Sequence, residues 1–466
     1  MVKLLYLNIR GDFLNDFNFY LITDTHYFKN SLGAYGKEYE EYMDTQQKCF
    51  AETESIDKAV FKYLEDVNDA DTILIAGDLS FNGEKESHIA LREHLLKLKD
   101  AGKRIFVVTA GHDINAKPFC YNNADRSEVE HIEFNDLYGY YKEFGYEDAV
   151  AFNREHMSYV AQLTDGLRLL VICNDTAEGR NVPYSDEFFD WMKEQLVKAK
   201  EDGQKVIAME HYPVIAGQPI LDLIGDARQR DAQRLINTLA DNGVHLIFTG
   251  HMHNQSINVK YSDNGNVFYD VCTGSVIGCP AYMRRVTLTD NFTKAEIESI
   301  PVPDFEWDTK GKSCETYFKD QFDRMLLWYV EAMEKNPKKF LSKIGADKPS
   351  LYKIIAKLGK GVNSWTVGRV AGFFFVKAPK EVKDIKFKDF AVDLARSVFE
   401  GDQPFTEDTP LGSLLLKVLD RLKPVLKILN KKLHGSQGEQ IDLYEMLKHS
   451  AGNYGISDYN ATLNLE

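Results

Sequence analysis

Six short apolar runs, each bounded by polar residues, mark the first half of the chain: Phe17–Thr23, Thr72–Ala76, Arg104–Thr109, Leu167–Cys173, Lys205–Met209 and Val244–Thr249. Runs of this length and composition predict buried strands. Between several of them apolar residues recur at helical spacing. Ile56, Val60, Tyr63, Leu64 and Val67 form one stripe, and Phe188, Met192, Leu196 and Ala199 another, so amphipathic helices are expected there. From Gln255 to Ile300 the pattern becomes strands and turns, with Asp263-Asn264-Gly265-Asn266 as a hairpin connection. Together these features predict a layered α/β fold. Beyond Pro301-Val302-Pro303 the chain turns helix-rich, with stretches at Tyr317–Met333, Phe387–Phe399 and Leu411–Leu429. Pro424 is expected to kink or break the last of these. The expected division is a catalytic domain over 1–302 and a helical accessory domain over 303–466.

Composition narrows the function classes. The 466 residues carry a formal net charge of −15, and an acidic surface repels phosphate backbones, so nucleic acid is not the expected partner. No apolar stretch approaches the roughly 20 residues that span a bilayer, and no membrane partner is expected. Met1–Leu7 opens like a signal, but Asn8, Arg10, Asp12, Asn15 and Asp16 follow at once. A cytoplasmic protein is the simplest expectation. Cys49, Cys120, Cys173, Cys272, Cys279 and Cys314 are scattered with no CxxC pair, which predicts reduced, mostly buried thiols. Lys338-Lys339 and Lys431-Lys432 are expected to be solvated faces, or a means of steering an anionic ligand. The strongly apolar helix around Leu414, Leu415, Leu416, Val418, Leu419 and Leu422 is expected to pack in the core, with a homodimer face as the alternative.

The chemistry sits just after the predicted strands. In chain order the strand ends lead into Asp24-Thr25-His26, Gly77-Asp78-Leu79, Gly111-His112-Asp113, Glu210-His211 and Gly250-His251-Met252-His253. Each alone is unremarkable: Asp-x-His is usually a loop, Gly-Asp-Leu a turn, and a lone histidine a hydrogen-bonded residue. Layered α/β folds gather ligands outside the carboxyl ends of their strands, so five such endings point to one shared metal centre. His88, His94, His131, His156, His245, His434 and His449 have no motif partner and are expected not to be ligands.

The order Asp-x-His, Gly-Asp-Leu, x-His-Asp, His, Gly-His-x-His resembles the calcineurin-like metallophosphoesterase superfamily over roughly residues 17–290. Gly77–His88 and Phe144–Ala149 are similar to its bacterial class III cyclic-nucleotide phosphodiesterase branch. The resemblance implies a four-layer α/β/β/α sandwich with a C-terminal helical domain. It also implies two divalent or trivalent metal ions, with Asp24, His26 and His253 on one, His211 and His251 on the other, and Asp78 bridging both. A donor set of oxygen and nitrogen without thiolate suits Mn, Fe or Zn. The implied reaction is hydrolysis of a phosphodiester, with a 3′,5′-cyclic nucleotide as the suggested substrate. His112 would stabilise or protonate the leaving oxygen, and Asp113 would orient its imidazole. A phosphomonoesterase or another small-phosphoester hydrolase is the alternative. Asn82 and Tyr27 are further candidates for contact with a small phosphoester substrate; otherwise they are a turn residue and a buried aromatic.

One position departs from the family motif. Where the superfamily has Gly-Asn-His-Asp/Glu, this chain has Ala110-Gly111-His112-Asp113, so the asparagine that ligates the second metal is absent. Three readings stand. Water or a nearby amide (Asn115, Asn82 or Asn174) fills the place, the second metal binds weakly, or the chain is a catalytically weak phosphate-ligand binding protein. Gly111 is otherwise a loop glycine with positive φ.

Overall fold

The expected strands form, and they assemble into two sheets. In the computed structural model, which describes residues 16–466 apart from 115–116, 123–124, 224–225, 344–346, 432–433, 436–437 and 453–454, each apolar run is buried as anticipated. The first sheet runs, in spatial order, Ala461–Asn464, Lys294–Pro301, Tyr282–Thr289, Phe17–Ile22, Thr72–Ala76, Arg104–Val108. The second runs Ser256–Tyr261, Val267–Cys272, Leu246–Thr249, Lys205–Glu210, Leu167–Ile172, Ser158–Thr164, Ala151–Asn153. The strands that end in candidate ligands pair in parallel: Phe17–Ile22 with Thr72–Ala76 and on to Arg104–Val108, and Lys205–Glu210 with Leu246–Thr249. Within each sheet, parallel pairing brings those carboxyl ends to one edge.

The two sheets pack face to face. Phe19 of the first meets Phe248 of the second edge-on, with ring centroids 5.4 Å apart. Helices Thr53–Asp66 and Lys85–Asp100 add Ile56, Val60, Leu64, Leu91 and Leu95 to the same core. Helices Asp186–Glu201 and Ala232–Ala240 cover the second sheet through Phe188, Met192, Leu196, Leu235 and Leu239. The result is the expected α/β/β/α layering. Ser185 caps the helix Asp186–Glu201 by accepting from the Phe188 amide, and Lys198 and Lys200 sit in its last turn, where cations favour the helix dipole. All six cysteines are free and buried. Among the described residues no helix is long and apolar enough to cross a membrane. The signal-like Met1–Leu7 lies outside the described residues.

The expected boundary needs correction. The last strand, Ala461–Asn464, returns to the first sheet and pairs antiparallel with Lys294–Pro301. The helical region is therefore inserted between two neighbouring strands of one sheet and is not a separate tail over 303–466. Arg284 anchors the return: its buried guanidinium donates to the carbonyls of Cys272 at 2.9 Å and Asp458 at 3.0 Å. The Asp458 carboxylate in turn accepts from the Ile257 amide. Of the two outcomes expected at Pro424, the break does not occur. The helix Pro410–Asn430 continues through the proline, with Leu414, Leu419 and Leu426 buried.

One buried acid carries a stability prediction. Asp57, on the helix Thr53–Asp66, is fully buried, and neither carboxylate oxygen has a hydrogen-bond partner. Burial raises its pKa well above the usual carboxylate value. An acid raised in this way destabilises the fold once pH exceeds its unfolded pKa and costs nothing below it. Asp57→Asn should therefore raise Tm at pH 7, by the equivalent of about 1 kcal/mol or more, and leave it unchanged near pH 3. Thermal unfolding at both values checks this, and an unchanged Tm at pH 7 would count against it.

Candidate metal centre

Five of the six expected metal ligands adopt left-handed backbone conformations: Asp24 (φ 52°), His26 (φ 40°), Asp78 (φ 48°), His251 (φ 67°) and His253 (φ 49°). Such conformations in residues other than glycine cost roughly 1 kcal/mol or more each and persist only where the surroundings enforce them. Here the rim loops enforce them by bonding to one another. The amides of Asp24, His26 and Tyr27 donate to the carbonyls of Gly77, Asp78 and Leu79, and the Gly250 amide donates to the His211 carbonyl. Two glycines permit the close approach. A Cβ on Gly77 would collide with the His211 ring, and one on Gly250 with Thr23 and the Asp24 carboxylate.

These loops bring the expected residues together. Donor atoms of Asp24, His26 and His253 all lie within 4.8 Å of one another, as do those of Asp78, His211 and His251. His253 Nε2 lies 3.2 Å from Asp24 Oδ1 and 3.1 Å from His26 Nε2. Asp78 Oδ2 stands between the groups, 3.6 Å from His26 Nε2 and 3.2 Å from His211 Nε2. The remaining atoms are committed in ways that aim these ones inward. Asp24 Oδ2 accepts from Thr23 Oγ1 at 2.7 Å and from the His251 amide at 2.9 Å. His211 Nδ1 donates to the Ala76 carbonyl at 2.8 Å, and His251 Nε2 to the Asp226 carbonyl at 2.7 Å. That bond leaves His251 Nδ1 free.

Within these clusters two buried atoms, Asp24 Oδ1 and His211 Nε2, make no hydrogen bond, their nearest neighbours being the other candidate ligands. Orphaned buried donors and acceptors are rare, and these two face the clusters just described. Carboxylate and imidazole atoms so placed fit bound cations, and the donor set matches Mn, Fe or Zn. Burial alone would raise both carboxyls. The His253 and His211 imidazoles hold Asp24 well below the usual range, and His211 and His112 do the same for Asp78. Burial pushes His211 down, but Asp78 and Asp24 overcome it and raise its pKa to about 10.

His112 reaches the same rim, but not in the way expected. Its amide donates to Asp78 Oδ1 at 3.0 Å, and its Nδ1 donates to the Phe81 carbonyl at 2.8 Å. The Phe81 carbonyl therefore orients the imidazole and leaves Nε2 open. Asp113 does not hold it. The Asp113 carboxylate is buried and accepts from the Ser80 amide and hydroxyl and from the Ala110 amide. Its role is to brace the two rim loops. Burial raises its pKa to about 7.

The substrate candidates also shift. Tyr27 is fully buried, with its hydroxyl 3.4 Å from His94 Nε2, so it is a core aromatic with no face for a ligand. Asn82 is largely buried in the turn after Phe81, and its amide donates to Glu84. The Asn174 amide group is spent on Asn181, which bonds Asp226, whose carbonyl holds His251. Asn174 thus supports a candidate ligand from behind and does not fill the missing place itself. Asn115 lies outside the described residues.

Gly111 has a different explanation from the one expected, because its φ is not in the left-handed region. A Cβ there would stand 2.8 Å from Arg180 Cδ and 3.1 Å from its Nε. The arginine side chain occupies the room an asparagine would need. Gly111→Asn should displace Arg180 and tighten the second metal position, lowering the Mn²⁺ concentration that half-saturates the protein by about tenfold. Metal titration followed calorimetrically checks this, and an unchanged half-saturation would show that the amide is not what the site lacks.

Sequence patterns did not reveal Lys48 or Arg180. Lys48 is 8% exposed, and its ammonium lies 3.3 Å from His26 Nδ1. Burial lowers its pKa to about 8. Neither residue neighbours a motif in sequence, so no spacing signal marks them.

The model of the calcineurin-like phosphoesterase family matches residues 17–255, just over half of the chain's 466 residues. The chain belongs to that family. Solved structures with partial likeness to this phosphoesterase include a dimetal phosphatase from Danio rerio, 11% identical, covering 62% of this chain and 97% of that one with a TM-score of 0.43. A purple acid phosphatase from yellow lupin is 14% identical over 62% of this chain and 52% of that one, with a TM-score of 0.40. The Haemophilus influenzae NAD nucleotidase is 12% identical over 76% of this chain and 62% of that one, with a TM-score of 0.35. No curated protein matches the sequence.

Proposed function

We propose that this phosphoesterase hydrolyses a small phosphoester at a binuclear metal centre, with Asp24, His26 and His253 on one metal, His211 and His251 on the other, and Asp78 shared. The carrying observation is the position of Asp78 Oδ2 between His26 Nε2 and His211 Nε2, within 3.6 Å of both. A bound pair of such metals supplies Lewis acidity, an activated water and charge neutralisation at phosphorus. The chain's own residues supply the rest. The rim loops hold the donors in one strained, fixed arrangement, so no reorganisation is needed as charge develops. His112, whose backbone amide bonds Asp78 and whose Nδ1 bonds the Phe81 carbonyl, keeps Nε2 open.

For the substrate, the resemblance of Gly77–His88 supports a phosphodiester, a 3′,5′-cyclic nucleotide being one such. A second reading, a phosphomonoester, is favoured by the buried Lys48 ammonium at His26, because an added cation favours the more highly charged substrate. Turnover of bis(p-nitrophenyl) phosphate against p-nitrophenyl phosphate, with added Mn²⁺, separates the two. Turnover of neither, with both metals bound, would overturn hydrolysis and leave a phosphate-binding protein.

A further inference from the structure

Two cations at the rim, Lys48 and Arg180, form no ion pair with a carboxylate among the described residues. Lys48 is more than nine-tenths buried, and among the described residues its ammonium forms no ion pair; its hydrogen-bond-range contacts are the two ring nitrogens of His26. Phe81 lies under it, 4.8 Å from ammonium to ring centroid. Asp78, Asp24 and Glu84 favour the ammonium from a distance, but none is within ion-pair reach, and a buried ammonium without a direct anionic partner is costly, so an anion entering the rim would find it ready to pair. Arg180 is exposed to solvent; it forms no ion pair among the described residues, and its stem packs on Gly111. That contact with Gly111, the residue before His112, sets Arg180 at the edge of the same rim. The chain carries 71 acidic side chains against 56 basic ones, so carboxylates are plentiful, yet among the described residues none forms an ion pair with either cation.

We propose that Lys48 and Arg180 form a two-cation cradle for the dianionic phosphate of a phosphomonoester, with Arg180 lying in the space that Gly111 leaves open. The inference rests on the hydrolase reading for its location and selects the monoester within it. A guanidinium presents paired N–H donors that match two phosphate oxygens, while Lys48 acts as a point charge from the His26 side. A monoester carries close to two negative charges at neutral pH and a diester one, so both cations attract the monoester about twice as strongly. The departure from the family motif at Gly111 thereby exchanges a neutral amide for a charged substrate contact.

The test is calorimetric titration of inorganic phosphate, and separately of dimethyl phosphate, into the full Mn²⁺-loaded chain at a pH just above neutral, below the Lys48 pKa of about 8. Metal content is measured for each protein. Arg180→Ala and Lys48→Met should each weaken phosphate binding by about tenfold or more, the scale of a lost charge-assisted hydrogen bond. Dimethyl phosphate should bind weakly throughout and change little. Arg180→Lys should recover part of the lost affinity. Unchanged phosphate affinity in Arg180→Ala, or equal losses for the two anions, would overturn the cradle. Loss of metal together with phosphate would do so too, because the residues would then be supporting the centre itself. The measurement is independent of turnover. A wild-type chain that hydrolyses neither ester but binds phosphate through Arg180 would remove the hydrolase reading and keep the cradle.

Discussion

Asp78→Ala should lower kcat by at least about 10³-fold, the scale of removing a preorganised electrostatic element, and should strip metal from both halves of the centre. Asp78 is the one carboxylate with donor atoms in the groups on either side, alongside His26 and His112 and alongside His211 and His251. Its Oδ2 faces His26 and His211, while its Oδ1 accepts from the His112 amide. Losing it removes the shared negative charge and also releases the loop that carries His112. His253→Ala makes the contrast, because His253 groups only with Asp24 and His26, so one metal should remain. Elemental analysis of the purified variants, read beside kcat, gives the result. Two retained equivalents in Asp78→Ala would sink the bridging assignment.

The six candidate metal donors were legible because each follows a buried apolar strand, and parallel pairing brings such strand ends to one edge. Chain order alone was therefore enough to place Asp24, Asp78, His211 and His251 near one another. Chain order does not carry side-chain direction. Asp113 neighbours His112 in sequence, yet its oxygens turn toward Ser80 and Ala110, and a more distant carbonyl, that of Phe81, takes the imidazole proton. Lys48 and Arg180 were illegible for a related reason. They lie on loops outside any periodic pattern, and tertiary packing alone brings them to the rim. The return of Ala461–Asn464 to the first sheet was hidden because four residues on an edge strand leave too short a pattern to separate from a loop. Pro424 does not break its helix because the loss of one helical hydrogen bond is offset by the packing of Leu414, Leu419 and Leu426.

His112→Ala should keep its metal and lose about 10²–10⁴ in kcat, the contribution of a positioned proton-transfer group. The geometry explains why the loss should fall on the chemical step. With Nδ1 donating to the Phe81 carbonyl at 2.8 Å, the open nitrogen is Nε2, and it is aimed by a rigid backbone rather than by a carboxylate. Burial, reinforced by the Lys48 ammonium, holds the imidazole pKa well below its usual value, so at neutral pH the ring of the free protein is uncharged. It becomes a proton donor only once an anionic phosphate enters beside it and favours the imidazolium. The demand for that proton depends on the leaving group. A p-nitrophenolate departs without help, whereas an alkoxide does not, so His112→Ala should slow an alkyl phosphate far more than p-nitrophenyl phosphate. Equal slowing of both would show that His112 acts before bond cleavage. Metal lost along with activity would instead make it a ligand, in keeping with its place beside His26 and Asp78. In that case the centre would draw a seventh protein donor from the same rim, and the missing asparagine would have been replaced from within its own motif.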